Sequence, residues 1–100
     1  MTNGTDRQIA YAEMVKAKAM EDVKSYNREA FLRFESFARA HPERADESGL
    51  AKALHVAYEL WLENNEDATF WLTKGHSTAQ DWLKLARAAV EAEAYALVAP

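Results

Sequence analysis

From Thr5 to His41 the chain carries neither glycine nor proline, and its apolar residues recur at spacings of three and four. Ile9, Ala12, Val15, Ala19, Val23 and Tyr26 trace one stripe, which Ala30, Phe31, Phe34, Phe37 and Ala38 continue. That period fits the 3.6 residues of a helical turn and not the two-residue alternation of a strand. Composition points the same way: 20 of the 100 residues are alanine, and nine leucines and three methionines outnumber six valines and isoleucines. Alanine and unbranched side chains lose little freedom on entering a helix, whereas β-branched residues suit sheets. An all-β or doubly wound α/β fold is thereby excluded. At 100 residues the expectation is one all-α domain with a single core.

The punctuation divides that domain. Thr5 and Gln8 form a capping box, and Asp6 suits the positive helix end. Helices are predicted over about 6–25 and 28–40, with Ser25 and Asn27 the only soft points at which one long helix would divide. His41-Pro42 closes this region, because a residue before proline is pushed out of the helical conformation. Pro42 to Gly49 is polar and reads as a loop, with Asp46 or Ser48 as the next cap. A third helix, 49–74, buries Leu50, Leu54, Ala57, Tyr58, Trp61 and Leu62. It runs through or kinks near 64–66 before Phe70, Trp71 and Leu72, and Gly75 terminates it. A second capping box, Ser77 to Gln80, opens a fourth helix over 78–96 that carries Trp82, Leu83, Leu85, Ala86, Ala89 and Val90. The predicted architecture is a single-domain, three- to four-helix antiparallel bundle.

Several functions are excluded or disfavoured. With no cysteine there is no disulfide framework, thiolate zinc site or cysteine nucleophile. No apolar run reaches the length of a membrane span, and the polar start MTNGTDRQ is no signal peptide, so a soluble cytoplasmic protein is expected. A net charge of -4 and a pI near 5.3 argue against nucleic-acid binding through bulk positive charge. Catalytic chemistry finds no constellation. His55 and Glu59 lie one turn apart, but a bundle metal site needs further ligands from facing helices, and no Glu-x-x-His occurs. His76, Ser77 and Asp81 lie close in sequence, yet adjacent turn residues point apart and no oxyanion hole accompanies them. No catalytic residue, metal or cofactor is therefore expected.

Two charged sets carry more content. Glu59, Glu63, Glu66 and Asp67 fall at i, i+4, i+7 and i+8, which on a continuous helix places them in one stripe, with Lys52 and Lys74 the nearest offsetting charges. Such a stripe is a solvated face or a docking surface for a partner with a basic surface. Arg7, Lys16 and Lys24 form a basic strip on the first helix that could read phosphate, although acids are threaded among its members. Trp71 stands beside Phe70, and neighbouring helical residues point about 100° apart, so Trp71 is the candidate for an exposed interface anchor.

Arg7-Gln8-Ile9-Ala10-Tyr11-Ala12-Glu13-Met14-Val15-Lys16 resembles a basic-Gln-Ile-x-aromatic-Ala-Glu-x-aliphatic-basic motif that opens many small uncharacterised helical proteins of phages and mobile elements. Asp67 to Leu72 is similar to a segment found later in such proteins, and Lys74 matches the basic residue that follows it. The resemblance implies a small helical accessory protein and brings no catalytic residues. The leading expectation is a non-enzymatic protein-binding module, an inhibitor of a host nucleic-acid-binding defence complex in the manner of anti-CRISPR proteins, acting through Glu59, Glu63, Glu66, Asp67 and Trp71. Direct nucleic-acid binding through Arg7, Lys16 and Lys24 is the first alternative. Self-association through the alanine-rich helices is the second, and the chain is expected as a monomer or weak homodimer.

Overall fold

The computed structural model describes residues 1–73 and 78–98. Helix α1 spans Asp6–Ala40 without interruption, and the Thr5–Gln8 box forms as the spacing requires: the Gln8 amide donates to the Thr5 hydroxyl and the Thr5 amide to the Gln8 side chain. Thirty-five residues at a rise of 1.5 Å make a rod of roughly 52 Å. That equals the longest dimension of the molecule, 52 Å, so α1 sets its length. The expected division at Ser25 and Asn27 does not occur. Asn27 is fully buried, and its amide donates to the His55 carbonyl and the Glu59 carboxylate of the next helix. Its side chain is thus engaged across the interface instead of competing for its own backbone.

His41 ends α1 by donating to the Phe37 carbonyl, and a single 3-10 turn, Pro42–Arg44, reverses the chain. Helix α2 then spans Ala45–Glu63. The expected loop through Gly49 is therefore too long, and neither Asp46 nor Ser48 is the cap. Proline starts the reversal with no amide to satisfy, and Asp46 and Glu47 favour the helix end from inside its first turn. Ser48 is buried within the helix instead. Helix α2 returns antiparallel to α1: Phe34 meets His55, Asn27 meets Glu59, and Lys24 meets Glu63, so rising numbers on one helix pair with falling numbers on the other.

Helix α2 stops at Glu63 and does not continue to residue 74. The Asn65 side chain accepts from the Asp67 amide, and Asp67 in turn caps a one-turn helix α3, Ala68–Trp71, by accepting from the Thr69 amide. Side chains of this kind offer the backbone a local alternative to helix. The first residues of the chain hold the same connection from outside. The Thr2 amide donates to the Glu66 carbonyl and the Ala68 amide to the Thr2 carbonyl, in an isolated parallel bridge. Helix α4 spans Ala79–Val98, and its capping pair is Thr78 with Asp81, one residue later than expected. The expected terminator Gly75, the cap Ser77, and Lys74 and His76 lie outside the described residues.

The core joins all four helices. Ala12, Ala19 and Val23 of α1 leave room for Trp71, Trp82 and Leu62, and Tyr58, Leu83 and Ala86 close the cluster. Its centre is aromatic: Trp71 and Trp82 lie 4.9 Å apart, and Phe70 packs edge-on to Trp71 at 4.9 Å. The fold is all-α and bundle-like, 52 × 38 × 19 Å, about two helices thick.

Candidate protein-binding surface

The four acids expected as one docking stripe are spread by the end of α2, and each meets a partner within the molecule, with Glu63 and Glu66 still exposed. Glu59 accepts from buried Asn27 at 3.2 Å. Glu63 pairs with Lys24 at 3.3 Å, and Glu66 pairs with Lys16 at 2.8 Å and with the N-terminal ammonium at 3.8 Å. Asp67 serves as the α3 cap and accepts from the Asn3 amide at 3.2 Å. The hydrogen bond and charge of Lys16 hold the Glu66 carboxyl below the usual carboxylate range. Sequence spacing offered Lys52 and Lys74 as counter-charges. The actual ones come from α1 and the N-terminal ammonium, which no spacing on a single helix reveals.

The same pairings occupy the basic strip. Lys16 is half-buried and donates to the Glu63 carbonyl at 2.6 Å and the Asn65 carbonyl at 3.1 Å besides Glu66, while Lys24 is taken by Glu63. Arg7 is left exposed at the start of α1, apart from both. Trp71 is 1% exposed and cannot be a surface anchor as it stands. Its indole N–H donates to the Asn65 carbonyl at 2.8 Å, and Lys16 sits 5.8 Å from its ring. Phe70 and Trp71 cannot share one narrow stripe on a long helix with one covered side, but α3 is not such a helix. A single turn with neighbours on two sides buries Trp71 fully and Phe70 in part.

His55 and Glu59 turn to separate partners, the His55 ring nitrogen to the Ala51 carbonyl and Glu59 to Asn27. Among the described residues no group of three His, Asp or Glu side chains is placed to hold one ion. No helix among them is long and apolar enough to cross a membrane.

What the fold leaves outward is apolar. Leu50, Leu54 and Leu60, expected or adjacent to the expected core of this helix, are 62%, 40% and 49% exposed, while Tyr58 and Leu62 are buried. At 100° per residue Leu50, Ala53, Leu54, Ala57, Leu60 and Trp61 share a stripe about 120° wide, roughly opposite the His55, Glu59 and Glu63 side that packs on α1, with Ala57 and Trp61 partly covered. The signal was present in the sequence, since the apolar residues of α2 span a wide arc while His55, Lys52, Glu59 and Glu63 gather on one side. A helix with so wide an apolar arc has more than one face to cover. On the far side of Leu54, α2 and α4 diverge around a groove of about 610 Å³. Tyr58, Leu83 and Val90 line it, and Arg87 and Glu91, paired at 2.8 Å, stand at its edge. Glu91, with a lesser contribution from Tyr58, raises the already high pKa of Arg87.

Comparison with protein-family models, with curated proteins and with solved structures gives no match for this chain.

Proposed function

We propose that the chain is a non-enzymatic protein-binding module that docks its partner on the outward apolar face of α2 and not on the acidic residues. The observation that carries the reading is the exposure of Leu50, Leu54 and Leu60 along one stripe of a helix whose other side is core. Contiguous apolar surface of this kind on a small domain marks an interaction site more often than a solvated face. The partner this face suits is an amphipathic helix, whose own apolar stripe would match it at i, i+3, i+4 and i+7 spacing. A chain charge of -4 favours a partner with a basic surface through long-range attraction. The resemblance of the opening motif to small proteins of phages and mobile elements makes a host nucleic-acid-binding defence complex the partner class, with the chain as its inhibitor.

The test is the double substitution Leu50→Glu with Leu60→Glu. A partner captured by the wild-type chain and reconstituted from purified components should be lost by the double variant, whose helical circular dichroism and melting temperature match the wild type. Retained binding by the double variant overturns the reading. Self-association has an observation of its own, because Tyr95, Leu97 and Val98 are exposed on the last turns of α4. A dimer mass at high concentration that Leu97→Ser reduces to the monomer favours it; a monomer throughout removes it.

A further inference from the structure

The groove between α2 and α4 differs from the docking face in shape and in charge. Its lining runs along α4 from Gln80 to Ala94, which at 1.5 Å per residue is roughly 21 Å. The groove is elongated along α4 and open along one side, with a volume of about 610 Å³. A linear chain can lie along that length. The walls are apolar, from Leu54, Tyr58, Leu83 and Val90, and Tyr26 of α1 contributes at the base. An empty apolar channel forfeits dispersion contacts along its whole lining, and an occupant restores them.

The charged groups are sparse and asymmetric. Lys84, Arg87 and Glu91 are the charged lining residues, and His55 adds a ring already directed to the Ala51 carbonyl. Arg87 is paired with Glu91, whereas Lys84 has no acidic partner among the described residues. The groove is thus net positive on a net negative chain. A cation or a neutral molecule would leave that charge unanswered, and an anionic head group answers it. We propose that this groove binds a linear amphipathic anion, a single-chain carboxylate, with its head group between Lys84 and Arg87 and its chain along Leu54, Tyr58 and Val90. The groove adjoins the docking face at Leu54, and the positions that test it, Lys84, Arg87 and Val90, lie apart from the Leu50 and Leu60 that test the docking face.

Laurate below its micellar concentration is the probe, titrated into the full chain by calorimetry, with dodecyltrimethylammonium as the counterpart of opposite charge. Laurate should saturate a single site and dodecyltrimethylammonium should not. Replacing Lys84→Gln with Arg87→Gln removes charge from exposed positions and should weaken laurate roughly two- to tenfold. Val90→Glu, which sets a carboxylate on the wall, should abolish saturation, with circular dichroism reporting that the helices persist. The proposal is overturned by absence of saturable laurate binding, by equal affinity for the two head groups, or by an unchanged laurate affinity in the Lys84→Gln, Arg87→Gln variant. Binding of an amphipathic helical peptide in the groove without binding of laurate overturns it as well.

Discussion

The ammonium of Lys16 closes the C-terminal end of α2 from a different helix, donating to two backbone carbonyls and to the Glu66 carboxylate at once. Charge-assisted hydrogen bonds of this kind stabilise more than neutral ones, and their loss takes a donor from the Glu63 carbonyl and leaves the Asn65 carbonyl with the Trp71 indole alone. Lys16→Met keeps the length of the side chain and removes the charge. It should lower unfolding free energy by about 1–3 kcal/mol, measured by urea denaturation. Glu66 gives the matching pH dependence. Its folded pKa lies below the ordinary value near 4.5, so its contribution is complete above that pH and fades as pH falls through the lower folded value. Glu66→Gln should therefore melt below the wild type at neutral pH, and the gap should close as the pH falls through the lowered folded value. A gap that persists in acid would place the effect of the substitution in packing and not in charge.

Among the elements, α1 and α3 stand at opposite extremes of self-sufficiency. Helix α1 has a full capping box and 35 residues without a breaker, so loss of one cap is a local event. Thr5→Ala should cost about 1 kcal/mol. Helix α3 is a single turn of four residues, far below the length at which a helix persists alone. It exists because Asp67 caps it, the N-terminal residues pair with its entry, and Trp71 fills the centre of the core. Trp71→Ala should cost about 3–5 kcal/mol, read from the same denaturation curves. Legibility follows the same contrast. The start of α1 and its end at Pro42 are written in neighbouring residues and could be read from them. The end of α2 at Glu63 depends on Lys16 and Thr2, which lie far away in sequence.

For the whole molecule, the divided character of α2 is the property with most consequence. Tyr58 and Leu62 build the core while Leu50 and Leu60 face outward, although all four are large apolar residues on one helix. Their energetics should separate accordingly. Leu62→Ala should destabilise by about 2–5 kcal/mol, whereas Leu50→Glu and Leu60→Glu should each stay within about 0.5 kcal/mol. Guanidinium unfolding of the three variants checks this. A large loss for either glutamate variant would mean that the outward leucines support the fold and are not held for a partner.

Helix class, the start of α1 and the alanine-lined packing face are determined by residues close together in the chain, because capping, propensity and periodicity are local effects, whereas the continuity of α1 through Asn27 rests on its contacts with α2. The site was legible only as residue types. Spacing grouped Glu59, Glu63, Glu66 and Asp67, but the counter-charges that meet Glu63 and Glu66 arrive from α1 and the N-terminus, and Glu59 is met by the neutral Asn27 side chain of α1. Trp71 could be recognised as exceptional but not as buried, since its burial needs neighbours from other elements. Which apolar stripe of α2 faces inward, and where α2 and α4 part to open a groove, is decided by packing between helices. The sequence by itself made α2 apolar on several sides; only the tertiary structure chose which side to cover.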